Sequence, residues 1–366
     1  MVHLRIVAPA ASADPAIELL CGAESVLNVI HLKGAAHKPE GDVILCDVAR
    51  EDASVIISDL KELRIHEDGS IAVEFVDTSI STAGDKAEKA AAGLPSDAVV
   101  WEEVEARTSE NTELSVSFVA FMVLAMQIAA VGVVLDQPIL VVGAMVVGPE
   151  FGPLAGLSVA LVECRVDLAR RSLTALAVGF PIGVALAFLT TVLFAALDVF
   201  PDDFSAGGHP LTRFISNPDF LSFFVACVAG AAGVLSLTSS KSGALVGVLI
   251  SVTTIPAAAY IGVAAAYGDS GDAASAGLQL GLNLTGIVLS GLFTLFVQRR
   301  WYVARRRKHL LDPAREAAGL PLGRSRRGTT TVPNWQELQK ERAEAGADRG
   351  EPTGRTRSRS WFARVK

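Results

Sequence analysis

The sequence predicts a polytopic α-helical membrane protein with a small soluble α+β domain at its N-terminal end, and three observations carry that fold class. Charge is partitioned along the chain: residues 1–114 hold 9 Lys+Arg against 22 Asp+Glu, residues 115–298 hold 5 against 10, and residues 299–366 hold 18 against 7. The middle contains apolar stretches of the roughly 20 residues that cross a hydrocarbon core about 30 Å thick. Residues 1–78 instead alternate short strand-like and helix-like segments in the order of a ferredoxin-like or ACT-like α+β sandwich. A chain that is 51% hydrophobic with only 6% aromatics favours helices packed in lipid over one large soluble core.

In the head, HLRIVAP (3–9) reads as a buried strand and DPAIELLCGAES (14–25) as a helix entered through Asp14 and Pro15. VLNVIHL (26–32) and DVILCDV (42–48) read as strands joined by a loop containing Gly, Lys and Pro. EDASVIISDLKELRI (51–65) places Val55, Ile56, Leu60, Leu63 and Ile65 on one helical face behind an acidic start, and GSIAVEFVDT (69–78) alternates as a strand. SISTAGDKAEKAAAGLPSD (79–97) reads as a linker, and DAVVWEEVEARTSE (97–110) as an amphipathic helix leading to the bilayer. The start, MVHLRIVAPAASADP, lacks the long apolar core of a signal peptide, so the first membrane helix is expected to direct insertion and the head to stay cytoplasmic.

Six spans are expected: 116–135, 138–162, 173–197 with a kink near Pro181, 220–237, 243–267 and 276–297. The connections ECRVDLARRS (163–172) and that around Lys241, with QRRWYVARRRK (298–308), are basic. DQ, DVFPDDFSAGG and GDSGDAA carry no Lys or Arg. Both termini are therefore expected at the cytoplasmic face, with Trp301 and Tyr302 at headgroup level. Beyond about residue 310 the Arg-, Gly- and Pro-rich tail is expected to be mostly disordered, with basic residues that attract anionic lipid or the acidic head.

Enzyme chemistry finds no support. No Ser/His/Asp, Cys/His, HExxH or phosphate-loop constellation occurs, and an enzyme is not expected. Cys21, Cys46, Cys164 and Cys227 have no CxxC spacing, and His31, His37 and His66 are scattered, so neither a disulfide framework, a metal nor a cofactor is expected. The expected partners are the bilayer, an unknown small solute or ion and further copies of the chain, not nucleic acid.

The second span holds GAMVVGPEFGP (143–153), which cannot be an ordinary helix interior: Pro149 and Pro153 supply no N–H, and Gly148 and Gly152 permit a break. Exposed to lipid, the freed backbone groups would cost several kcal/mol each, so they are expected to face protein or a water-filled cavity. Glu150 at this depth costs on the order of 3 kcal/mol. It reads as binding a cation or proton, or else as capping the second half-helix or pairing with a polar residue at a subunit contact. Gln127, Ser251, Thr253, Thr254, Gln279 and Asn283 are the other polar candidates in the spans; Gln127, Thr253, Thr254 and Asn283 join Gly148, Pro149, Glu150, Gly152, Pro153 and Pro256 as the expected solute or ion pathway.

Spans two and five share a Val-Gly pair (Val142–Gly143, Val246–Gly247) followed by a proline about ten residues later (Pro153, Pro256). Three-plus-three duplication gives halves of opposite orientation, a transporter arrangement with discontinuous helices near the midplane. LAMQIAAVGVVLDQPILVVGAMVVGPEFGPLAGLSVAL resembles the signature of the domain of unknown function 389 family, bacterial and archaeal integral membrane proteins, and GALVGVLISVTTIPAAAYIGV resembles its second region. The resemblance implies a membrane domain over roughly 115–298 and a place in the bacterial inner membrane, but no activity. This chain has Glu150 where the family usually has an apolar residue, and Pro256 alone where paired prolines are common. A transporter or channel with a cytoplasmic regulatory domain is the expected function, and a membrane-anchored ligand sensor or assembly protein the alternative.

Overall fold

A computed structural model describes residues 1–76, 80–91, 98–201, 211–212, 215, 219–239 and 253–323. The described residues of 1–95 and 303–323 form one compact unit, and those of 96–302 another.

The first unit is built on a four-stranded antiparallel sheet: β1 (Val2–Ala8), β2 (Val26–His37), β3 (Glu40–Val48) and β4 (Ser70–Phe75), in the spatial order β2-β3-β1-β4. β1 lies in the middle, paired with β3 from Val2↔Val48 to Ala8↔Asp42 and with β4 from Val2↔Phe75 to Val7↔Ser70. Strict alternation buries Val2, Leu4, Ile6 and Ala8 on one face, where they meet Ile44, Cys46 and Val48 of β3. Helices α1 (Ala10–Gly22) and α2 (Arg50–Glu62) add Leu19, Leu20, Ile56, Ile57 and Leu60 to that core. The strand–helix–strand–strand–helix–strand order read from the sequence is present.

Several boundaries differ. α1 starts four residues ahead of Asp14, because Pro9, at φ −53°, ends the strand directly after Ala8; Pro15 then lies inside the helix rather than at its start. The expected loop between β2 and β3 is mostly strand, since pairing continues to His37↔Glu40 and leaves Lys38–Pro39 as the turn. Arg64, in the left-handed region at φ 60°, stops the second helix and a single turn, α3 (Ile65–Asp68), follows. Within the stretch read as a linker, Ser81 accepts from the Gly84 N–H and caps α4 (Thr82–Ala90).

The second unit opens with α5 (Trp101–Asn111). α6 (Val116–Val134), α9 (Val166–Ala196), α10 (Phe220–Thr238) and α12 (Ser270–His309) are each long and apolar enough to cross a membrane, and Pro181 lies inside a helix that continues across it. α7 (Pro138–Val147) and α8 (Phe151–Glu163) form a pair bent by 51°, a fifth span if counted together. α11 (Thr254–Ala266) is shorter, and residues 243–252 of the expected fifth span lie outside the described residues, so neither the count of six nor the inverted repeat is established by these helices. Phe121, Leu124, Leu189, Leu193, Phe293 and Phe296 are exposed along the long helices, as lipid-facing side chains are. α11 is apolar all round and buried almost throughout, the pattern of a helix enclosed by others. Gly262 lets it approach α9 closely: a Cβ there would stand 2.8 Å from the Val184 carbonyl oxygen.

Residues after 298 differ most from expectation. α12 runs on to His309, and α13 (Pro313–Ala317), capped by Asp312 accepting from the Ala314 N–H at 2.9 Å, packs on α1. Gly22 leaves room for it, since a Cβ would stand 2.7 Å from Ala314 Cβ. Ordering follows from charge. Asp59, fully buried on α2, pairs with Arg306 and Arg315, and His309 Nε2 lies 2.8 Å from its Oδ2. Glu62 accepts from Arg306 at 2.7 Å and Arg315 at 3.0 Å. Burial pushes the Arg315 guanidinium down to about 10, which leaves it charged at neutral pH. Residues 324–366, the rest of the expected disordered tail, lie outside the described residues.

Removing one partner of a buried ion cluster leaves the others desolvated and unpaired. Asp59→Asn is expected to lower head stability by about 3–5 kcal/mol and to expose 303–323 to protease. Unchanged melting and unchanged cleavage would contradict the buried cluster.

Candidate functional site

The bend between α7 and α8 is built from two helix ends. α7 closes with the Gly148 N–H bonded to the Ala144 carbonyl at 3.1 Å, and α8 opens with the Leu154 N–H bonded to the Glu150 carbonyl at 3.3 Å. Pro153 is the third residue of α8, where an N–H has no acceptor within the helix in any case. Proline therefore starts this helix instead of disrupting one. Pro256 repeats the arrangement as the third residue of α11, which opens with the Ala257 N–H bonded to the Thr253 carbonyl at 3.3 Å.

These two helix starts meet. Glu150, at the N-terminal boundary of α8, makes no capping bond to its first turn. Its Oε1 accepts instead from the hydroxyl of Thr254, the first residue of α11, at 2.6 Å. Gly148 permits the contact by lacking a side chain: a Cβ there would stand 2.4 Å from Glu150 Oε2 and 2.6 Å from Ile255 Cγ1. Glu150 is 4% exposed and Thr254 is fully buried. Glu150 Oε2 has no hydrogen-bond partner among the described residues.

A second set of polar groups adjoins the first. Asn283 on α12 donates to the Thr253 hydroxyl at 2.9 Å, and Gln279, one turn earlier, stands 3.4 Å from Asn283 Oδ1. Both amides are buried, and Gln279 Oε1 has no partner among the described residues. Neutral donors and one carboxylate thus lie among apolar helices, where unpaired polar atoms are costly.

The structure gathers Gly148, Glu150, Thr253, Thr254 and Asn283 of the sequence-predicted set, with Pro153 and Pro256 in the first turns of the two helices and Pro149 in the break between α7 and α8. Gly152 faces elsewhere, because a Cβ there would stand 2.8 Å from the Asn111 carbonyl oxygen at the end of α5. Pro153 is buried in the first turn of α8, and Gln127 is half-buried on α6, outside the hydrogen-bonded set. Ser251 lies outside the described residues. Gln279 belongs to the buried set although the sequence reading left it out of the pathway; its spacing of four from Asn283 puts both on one helical face and was the available signal. Nothing in the sequence marked Ile255 as the neighbour of Gly148.

The stretch 145–289, which contains both helix starts, matches the family model described as Domain of unknown function (DUF389). The chain is also similar to an uncharacterized protein of the archaeon Methanocaldococcus jannaschii, 26% identical over 226 residues, which cover 58% of this chain and 65% of that relative. The chain thus spans somewhat under two thirds of that curated relative's length. No solved structure matches. Within the matched stretch the carboxylate and its hydroxyl partner come from residues 104 positions apart.

Thr254→Val removes the hydroxyl that satisfies Glu150 while keeping the shape. It is expected to lower stability in detergent by about 1–3 kcal/mol, the cost of an unsatisfied buried group, and Thr254→Ser to restore most of it. Equal melting temperatures for the Val variant and the unaltered protein would contradict the bond.

Proposed function

We propose that the protein is a membrane transporter or channel for a small solute or ion, with its solute path at the meeting of α8 and α11. The observation that carries the reading is the buried carboxylate of Glu150, placed where two short helices start inside an otherwise apolar bundle. Backbone that leaves helical geometry at membrane depth is tolerated where it is enclosed by protein or lines a cavity, and transporters place ligands at such half-helix ends. The common placement of Pro153 and Pro256 as third helical residues supports the reading of two related halves of opposite orientation, three spans in each. On this reading the ferredoxin-like head is a cytoplasmic regulatory domain, both chain ends lie on that side of a bacterial inner membrane, and the assembly is a homo-oligomer. The reading includes no enzymatic step and no nucleic-acid partner.

Proteoliposomes containing the purified full-length protein are expected to move at least one member of a panel of small ions and metabolites. Gly148→Val, which forces a side chain into the space shared by Glu150 and Ile255, is expected to reduce that flux at least about tenfold, the effect of roughly 1.4 kcal/mol. Absence of flux across the panel would overturn the transport reading; normal flux in the Val variant would move the path elsewhere.

A further inference from the structure

The two helix starts at Glu150 supply positive potential without a side-chain cation, since no Lys, Arg or His pairs with Glu150 among the described residues. Each helix N-terminus is worth roughly half an elementary charge, so α8 and α11 together offset about one carboxylate. Both helices have 13 residues, long enough for a developed dipole. The first-turn N–H groups of Thr254 and Ile255 have no acceptor within their helix by position, and Pro256 has none to offer. The Thr254 hydroxyl and the Asn283 amide, which reaches the Thr253 hydroxyl, add neutral donors. Neutral donors around two positive helix ends match a small anion, and a bound metal cation would oppose both dipoles.

Glu150 already occupies that position, but it is poorly held for a buried carboxylate. Of about four lone-pair sites on its two oxygens, Oε1 receives the Thr254 bond and Oε2 receives nothing from the described residues. Gly148 lets Oε2 and Ile255 pack closely against its backbone, since a Cβ there would stand 2.4 Å from Oε2 and 2.6 Å from Ile255 Cγ1. We propose that the meeting of α8 and α11 is a binding site for a small monovalent inorganic anion, and that the Glu150 carboxylate is its tethered occupant in this structure. A free anion and the carboxylate compete for the same donors, so Glu150 acts as a plug that must leave before the anion enters. The inference names the solute class for the transport reading and rests on it for the path.

The test is anion binding by the full-length protein in detergent, read as melting temperature in potassium chloride or potassium nitrate against potassium gluconate at equal ionic strength. Glu150→Ala vacates the site, so the half-saturating nitrate concentration is expected to fall at least about tenfold relative to the unaltered protein, as 1.4 kcal/mol of lost competition gives. Glu150→Gln fills the space without charge and is expected to lie between the two; if the Ala variant does not fold, the Gln variant decides. Identical responses to nitrate and gluconate in both variants would overturn the anion site. Stabilisation of the unaltered protein by sodium over potassium, lost in Glu150→Gln, would overturn it in favour of a cation. Anion-dependent stabilisation without flux in liposomes leaves the site standing and overturns transport. Flux of cations or uncharged solutes without an anion response does the reverse.

Discussion

A polar backbone group in hydrocarbon has to find its partner inside the protein. That constraint organises the membrane unit. Two prolines would otherwise break helices at depth, and both are placed as the third residue of a new helix, where the missing N–H is no loss. The remaining polar ends are then brought together, so that the first residue of α11 satisfies the carboxylate at the boundary of α8. Small residues make the approach possible: Gly148 admits Glu150 and Ile255, and Gly262 seats α11 against the backbone of α9. The pairing enclosed in this way is under-satisfied, which is the condition under which a group can be exchanged for a ligand.

A different balance holds the first unit. Asp59 and Glu62 are desolvated on α2, and the cationic end of α12 with α13 supplies Arg306 and Arg315 to match them. Burial holds His309 below the ordinary imidazole range despite the opposing pull of Asp312, so the cluster is close to neutral above that range. The same continuous α12 carries Gln279 and Asn283 in its earlier turns. A basic segment that charge counting alone reads as a solvated tail is in this way an ordered part of the head.

Much of this was legible in the sequence. Short apolar runs located β1 and β3, period-two alternation located β4, apolar length located the long helices, and GPEFGP located the bend, because each signal is local. Helix starts were harder: Asp14-Pro15 resembles an ideal opening, but Pro9 ends the preceding strand and forces an earlier one. Glu150 and Thr254 were each conspicuous as polar residues at depth, yet nothing local says that they touch, since the bond spans 104 positions. Gln279 could have been found from its spacing to Asn283. The order of residues 310–323 could not, because it depends on pairing Asp59 with Arg315, 256 positions away; Asp59 itself, four residues after Val55 and four before Leu63, falls on the apolar face of α2.

The central claim is that the two helix starts meet through Glu150 and Thr254, and a double-mutant cycle tests it most directly. Stability would be measured for the unaltered protein, Glu150→Gln, Thr254→Val and the double variant under the same detergent conditions. A contact of this kind predicts a coupling energy of about 0.5–3 kcal/mol. Additive effects, with coupling indistinguishable from zero, would place the two residues apart and contradict the account.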